Sequence, residues 1–161
     1  MKNVRVLAAF AAGLLTALGV GVAIGAQSET SQGGGQQAIF AALNGSKEIG
    51  NDGQRNAGDD NGRGSFSATL DGRKLCYGLT VANIGDPIAA HIHKAPRTEN
   101  GDVVVTLKHP KAGDPAASSK CVRISRSMAG DLRDNPRGFY VNVHNEAFPS
   151  GAIRGQLFNG G

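Results

Sequence analysis

The sequence predicts an all-β fold, an antiparallel β-sandwich of about eight short strands. From residue 38 onward, short segments in which apolar and polar residues alternate are separated by Gly, Asn, Asp or Pro. Glycine is abundant, at 24 of 161 residues, which favours tight turns over long helices. Hydrophobic residues make up 40% of the chain but aromatic residues only 5%, so the sequence supplies one core of mainly aliphatic side chains.

The first half of the domain contains three predicted strands and one long loop. Residues 38–43 form a short apolar strand, whereas residues 50–64 are too polar for a strand interior and form a surface loop. In 64–70 every second residue is apolar, and Asp71-Gly72 follows as a hairpin turn. In 75–81 the residues Leu, Tyr, Leu and Val share one face. The last two strands are therefore expected to pair as a hairpin.

The second half contains five predicted strands and one helical turn. Each strand has an apolar face that can join the core, and in 88–93 this face consists of Ile88, Ala90 and Ile92. The other elements are strands at 103–107, 121–125, 139–144 and 152–158, and a helical turn at 126–133.

The N-terminal segment predicts export from the cytoplasm. Residues 1–26 have the pattern of a secretory signal peptide: two cations, an apolar stretch, and small residues that offer cleavage after Ala26. The alternative is an uncleaved membrane anchor through residues 6–26, which approach the length that spans a bilayer. Residues 27–37 are polar and Gly-rich, as expected of a flexible linker. Both alternatives place the domain outside the cytoplasm: secreted, periplasmic or in the cell envelope.

The two cysteines, Cys76 and Cys121, are expected to form a disulfide, because an oxidising compartment favours their pairing. Both lie opposite the aliphatic residues of their predicted strands, so a bridge across one sheet is sterically consistent. The alternative is two buried free thiols.

Charge and motifs exclude several classes of function. The formal net charge is +4 and the isoelectric point about 9.3, but the basic residues are scattered, so no nucleic-acid partner is predicted. Contact with a membrane is expected only through residues 6–26, if they stay uncleaved. No serine lies in a nucleophile elbow, and no catalytic residue is assigned.

Three histidines form a candidate metal site. His91 and His93 project from the same face of one strand, and His144 ends another strand on its non-aliphatic face. If the two strands are neighbours, the imidazoles can converge. Three neutral imidazoles suit copper or zinc and leave one coordination position open.

The alternative for this polar face is a structural hydrogen-bond network. Asn142 can satisfy loop backbone groups, and Arg154 can donate to carbonyls or to a carboxylate such as Glu146. Gln156 lies on the same face as Arg154 and completes the predicted network. A pocket for an organic ligand is the third possibility.

Three motifs that follow one another in the sequence resemble the chordin-type (CHRD) domain family. They are HIH at 91–93, YVNVH at 140–144 and IRGQL at 153–157. The segments 40–48 and 62–72 fit the first part of the family pattern, so the resemblance covers 38–158. It implies a Greek-key β-sandwich, found as repeats in chordin and alone in exported bacterial proteins.

Two functions are consistent with these features. The first is a non-catalytic extracytoplasmic module that binds an envelope or extracellular partner. The alternative is a copper- or zinc-binding metalloprotein, because the H-x-H strand is similar to part of the copper site of copper/zinc superoxide dismutases, whose general architecture is also expected here. A second metal site is not evident, since only His109 remains, in a Lys-His-Pro loop. A purely structural envelope protein is a further possibility.

Overall fold

The computed structural model describes residues 35–111 and 113–160. The predicted signal peptide and residues 27–34 of the predicted linker lie outside the described residues, and Gln37 already begins the first strand. The strands are β1 (Gln37–Asn44), β2 (Arg63–Asp71), β3 (Lys74–Ala82), β4 (Pro87–Lys94), β5 (Asp102–Leu107), β6 (Ala116–Arg123), β7 (Phe139–Asn145), β8 (Ile153–Gln156) and β9 (Phe158–Asn159), and the helix is α1 (Arg126–Asp134).

All strands belong to one antiparallel sheet in the order β5-β4-β7-β8-β1-β2-β3-β6, with β9 also paired to β1. In that last pair Phe158 is opposite Phe40. The order places β6 beside β3 and β7 beside β4, the long-range neighbours that define Greek-key connections. Apolar residues from both halves of the sheet form one core cluster. The predicted antiparallel β-sandwich is therefore confirmed.

The predicted hairpin is formed by β2 and β3, with Asp71 opposite Lys74. Gly72 in its turn has φ +54°, a conformation that residues with a side chain rarely adopt. The predicted loop 50–64 ends earlier than expected, because Arg63 and Gly64 already pair within β2. The apolar residues that alternation assigns to the core are buried: Phe66, Ala68, Leu70, Leu75, Tyr77, Leu79 and Val81.

Ile88 is an exception to the core predicted for β4. Ala90 and Ile92 are buried, but Ile88 is 50% exposed. The pairing of β4 with β7 shifts register between Pro87 and Ala89, so Ile88 is the extra residue of a β-bulge. The prediction that Ile88 shares the core face is wrong, because the bulge breaks the alternation at this residue.

β6 begins at Ala116 rather than at residue 121, and it ends at Arg123 rather than at residue 125. Its first residues, AASSK, lack the β-branched and aromatic side chains that mark a strand. Pairing with β3 along this whole segment imposes the extended conformation. Cys76 on β3 lies directly opposite Cys121 on β6, and the two form the predicted disulfide.

α1 matches the helical turn predicted at 126–133. Ser125 caps it, because its Oγ accepts a hydrogen bond from the Met128 N–H at 3.0 Å. Ala129 and Leu132 pack into the core. Among the described residues, no helix has the length and apolar character needed to cross a membrane.

Candidate metal centre

The polar residues selected from the sequence lie on the faces of β4, β7 and β8 that point away from the core. Opposite positions on these strands form rows, because the pairing is antiparallel and, beyond the bulge at Ile88, continuous. His93, Tyr140 and Gln156 form one row, His91, Asn142 and Arg154 form the next, and His144 lies opposite Ala89.

The three histidines lie together at β4 and β7. One nitrogen from each of His91, His93 and His144 forms a cluster whose members are all within 4.8 Å of one another. The shortest separation is 3.1 Å, between Nδ1 of His91 and Nε2 of His144. The His91 ring centroid is 5.6 Å from that of His93 and 5.1 Å from that of His144. The adjacency of β4 and β7 thus brings the three imidazoles to one place.

Backbone carbonyls determine which nitrogen of the His93 ring and of the His144 ring faces the cluster. Nδ1 of His93 is 2.8 Å from the Gly101 carbonyl oxygen, and Nδ1 of His144 is 3.0 Å from that of Pro149. Because a carbonyl oxygen only accepts, Nδ1 carries the proton in each neutral ring and Nε2 retains its lone pair. Metal-binding histidines are held in the same way by a hydrogen bond from the second ring nitrogen.

His93 has an unpartnered nitrogen inside the protein. The residue is only 9% exposed, and its Nε2 has no hydrogen-bond partner among the described residues. Its ring stacks on that of Tyr140, with centroids 4.8 Å apart and planes inclined by 6°. A buried polar atom without a partner is costly, and a bound metal ion would satisfy it. This atom is the strongest indication that the histidines fit a metal.

Burial favours the neutral rings that a metal requires. Desolvation lowers the pKa of His91, and the charges of His144 and His93 lower it further. Desolvation also lowers the pKa of His144; the hydrogen bond to Pro149 opposes this effect, and His93 adds to it. Neutral imidazole is the ligating form, so these surroundings prepare the rings for metal binding near neutral pH.

The donor set favours copper or zinc. Bonds of 2.0–2.1 Å place the nitrogens of a tetrahedral site about 3.4 Å apart, close to the separation of His91 and His144. The widest separation, 4.8 Å, requires a shift of one ring toward the others. No thiolate or carboxylate joins this cluster within the described part of the chain. Three imidazoles leave a coordination position for water or another ligand.

Asn142 is the member of the predicted network that contacts the histidines. It is 2% exposed, and its Oδ1 is 3.1 Å from Nε2 of His144. An amide oxygen only accepts, so this contact is a hydrogen bond when Nε2 of His144 carries a proton, and both atoms are acceptors in the tautomer described above. Binding of a metal by His144 would replace this contact.

Arg154 is oriented toward the loop 95–101 and not toward the histidines. Its guanidinium donates to the carbonyls of Pro96 and Glu99 at 3.1 and 2.7 Å, and to Oδ1 of Asn100 at 2.9 Å. These acceptors take the place of Glu146, the carboxylate suggested by the sequence. Arg154 is 1% exposed and therefore forms part of the interior.

A stack of three side chains connects Arg154 with the histidines. The Arg154 guanidinium carbon lies 3.4 Å from the centroid of the Tyr140 ring, and His93 also stacks on that ring. Gln156 donates to the carbonyls of Ala95 and Arg137 at 2.8 and 2.7 Å. The predicted network thus divides into two parts, Asn142 at the histidines and Arg154 with Gln156 beneath the loop.

Tyr140 and Gly101 are site residues that the sequence pattern does not reveal as functional. Alternation along β7 places Tyr140 on the same face as Asn142, and this position is the feature of the sequence that could have indicated it. The role of Gly101 as acceptor for His93 depends on the path of the loop and has no sequence signature.

A model of the CHRD domain family matches residues 39–157 of this chain. This range includes the three histidines of the cluster and both cysteines. No curated protein and no solved structure matches the sequence significantly.

Proposed function

The chain belongs to the CHRD domain family, and on this premise we propose that it is an exported, non-catalytic binding protein that holds a copper or zinc ion between His91, His93 and His144. The observation that carries the metal site is the unpartnered, buried Nε2 of His93 within the cluster of three histidine nitrogens. The proposal takes up the copper- or zinc-binding function that the sequence suggested as the alternative to a module that binds an envelope or extracellular partner.

Two observations support an extracytoplasmic location. The Cys76–Cys121 disulfide is typical of an oxidising compartment. Residues 1–26 have the composition of a secretory signal. N-terminal sequencing of the purified protein tests cleavage after Ala26, and retention of residues 6–26 in a membrane fraction would indicate an anchor instead.

The metal is tested by elemental analysis of the protein exported by its own leader to the periplasm of a bacterial host. The protein should carry no metal-binding tag. We expect close to one copper or zinc ion per chain, and loss of that ion in His91→Ala, His93→Ala and His144→Ala. His109→Ala is the matched control and should keep the metal, because His109 lies outside the cluster. Circular dichroism of each variant establishes that the fold is retained.

The same preparations distinguish the two metals and the redox alternative. Copper(II) gives an electron paramagnetic resonance signal, whereas zinc gives none. A superoxide dismutase assay of the copper-loaded protein tests catalysis directly. Absence of metal after incubation with both ions, or equal metal in folded wild-type and histidine variants, would refute the proposed site.

A further inference from the structure

A second candidate site surrounds Arg97, outside the histidine cluster. Three adjoining depressions of about 110, 200 and 430 Å³ all include Arg97 in their walls. We call them together the basic groove, defined by Lys47, Arg55, Arg97, Arg137, Gln156 and Phe158.

The walls of the basic groove carry more positive than negative charge. They contain four exposed cations, Lys47, Arg55, Arg97 and Arg137, together with the buried Arg154 and one acid, the buried Glu48. In the described part of the chain the one ion pair within 4.0 Å joins Lys94 and Asp131, which lie elsewhere. Burial lowers the pKa of Lys47, and the nearby charge of Arg97 lowers it further. Like charges held close without a counter-ion attract an anionic ligand.

The walls of the groove combine exposed cations with an aromatic surface. The buried Arg154 and the amide of Gln156 line the smallest depression, but they already donate to oxygens of the protein, so the donors open to a ligand belong to the exposed cations. Phe158 is 42% exposed and packs against Phe40, with ring centroids 5.9 Å apart. Arginine forks match carboxylates, and an exposed aromatic ring offers an apolar surface to a sugar ring.

We propose that the basic groove binds a linear polysaccharide that carries carboxylate groups. Adjoining depressions suit an extended chain longer than one sugar unit. A single exposed phenylalanine beside a groove does not form the broad apolar face with which a protein inserts into a membrane. Single-stranded nucleic acid is recognised by several stacked aromatic side chains, and the groove has one.

The test uses the purified full protein and oligogalacturonate as the acidic probe, with its methyl ester as the uncharged counterpart. We expect binding of the acid form alone, with affinity that falls as salt rises. Arg97→Ala and Lys47→Ala should each weaken it about tenfold, the loss typical of one charge-assisted contact. Arg126→Ala and Lys120→Ala are matched controls, since both residues are exposed and line none of the three depressions. They should change the affinity less than about twofold.

Three results would overturn this proposal: equal binding of the methyl ester, equal weakening by the control variants, or tighter binding of anionic vesicles or single-stranded DNA than of oligogalacturonate. The proposal is independent of the metal site. Binding should persist in His144→Ala and in the presence of a chelator. Loss of binding under either condition would assign the ligand to the histidine cluster and not to the basic groove.

Discussion

Glu48 directly follows the short 3₁₀ turn Gly45–Lys47 at the end of β1. Its carboxyl group lies against Gly151. The residue is 1% exposed. Its Oε1 accepts the N–H of Ile49 at 3.1 Å, whereas its Oε2 has no partner among the described residues. Burial raises the pKa of Glu48 to about 7, although the bond from Ile49 and the charge of Arg154 lower it. At neutral pH this side chain is therefore close to its protonation midpoint.

Replacement of Glu48 by glutamine should make the free energy of unfolding less sensitive to a rise in pH from about 5 to 8. Because the folded-state pKa is about 7 and the ordinary value 4.5, the stability linked to the protonated acid is fully present below pH 4.5. It is lost as the pH rises through 7. Between pH 5 and pH 8 the wild-type loss is about 2.5 kcal/mol, and Glu48→Gln should abolish it. Urea unfolding of both proteins at about pH 5 and pH 8 measures the difference.

The quantity to compare is the pH dependence of the free energy of unfolding in the variant and in the wild type. The lowered pKa values of His91 and His144 increase stability as the pH rises, opposite to Glu48, but they do so equally in both proteins. Glu99→Gln is the control, since Glu99 is exposed. An unchanged pH dependence in Glu48→Gln would show that Glu48 titrates normally.

The sequence predicts which side chains share a face of a strand but not which groups they contact. His91, His93 and His144 could be selected because alternation separates them from the aliphatic face of each strand. Glu48 could not, because it follows a turn where no alternation exists. The partners of Arg154 are backbone carbonyls of a distant loop, and local sequence does not encode such contacts.

The loop 95–101 is the segment that joins the histidines to the rest of the polar face. The Gly101 carbonyl accepts from His93, and the Gly101 N–H donates to the Tyr140 hydroxyl at 3.3 Å. The Asn100 amide donates to the carbonyls of Ile49 and Gly50 at 2.9 and 3.2 Å. Arg154 donates to the same loop from below, so the path of the loop determines the orientation of His93.

Replacement of Arg154 by lysine should loosen this loop. One ammonium group cannot reproduce the planar fork and the stacking on Tyr140, so buried carbonyls lose their donors. We expect a loss of about 2–4 kcal/mol in the free energy of unfolding. The amides of the loop should exchange hydrogen faster, and metal affinity should fall about tenfold, as when a residue that orients a metal ligand is removed.

Arg63→Lys provides the matched control. Arg63 also donates to two carbonyls, those of Asp60 and Gly62, but it is exposed. If Arg154→Lys and Arg63→Lys have equal effects on loop exchange and stability, Arg154 does not hold the loop.

The observed strand ends agree with the sequence prediction where apolar and polar side chains alternate clearly. They differ where pairing with a neighbouring strand alone imposes the extended conformation. The first residues of β6 are extended because β3 pairs with them, although their composition is typical of a loop. The strand predicted at 152–158 is divided into β8, which pairs with both β7 and β1, and β9, which pairs with β1. Ile88 is exposed because register, which local pattern does not encode, places a bulge there.

The disulfide joins two strands whose cysteines are 45 residues apart in sequence. The intervening chain includes β4 and β5, so the bridge also encloses residues from the other half of the sheet. Such a bridge stabilises mainly by restricting the unfolded chain.

Removal of the bridge in a Cys76→Ala, Cys121→Ala double variant should lower the free energy of unfolding by about 4 kcal/mol, the value expected for a closed loop of this length. Urea unfolding under non-reducing conditions measures this change. Wild-type protein with dithiothreitol should match the double variant. A loss below about 1 kcal/mol would show that the unfolded chain already keeps β3 near β6.

The pairing of β9 with β1 has a consequence for how the domain can be used. Phe158 lies opposite Phe40, so the chain enters and leaves the folded unit on adjacent strands, about 5 Å apart. A unit with neighbouring ends can be inserted into a surface turn of a host protein without forcing the host backbone apart. The same geometry allows copies of the domain to be linked in tandem by short connections, with each copy folding independently.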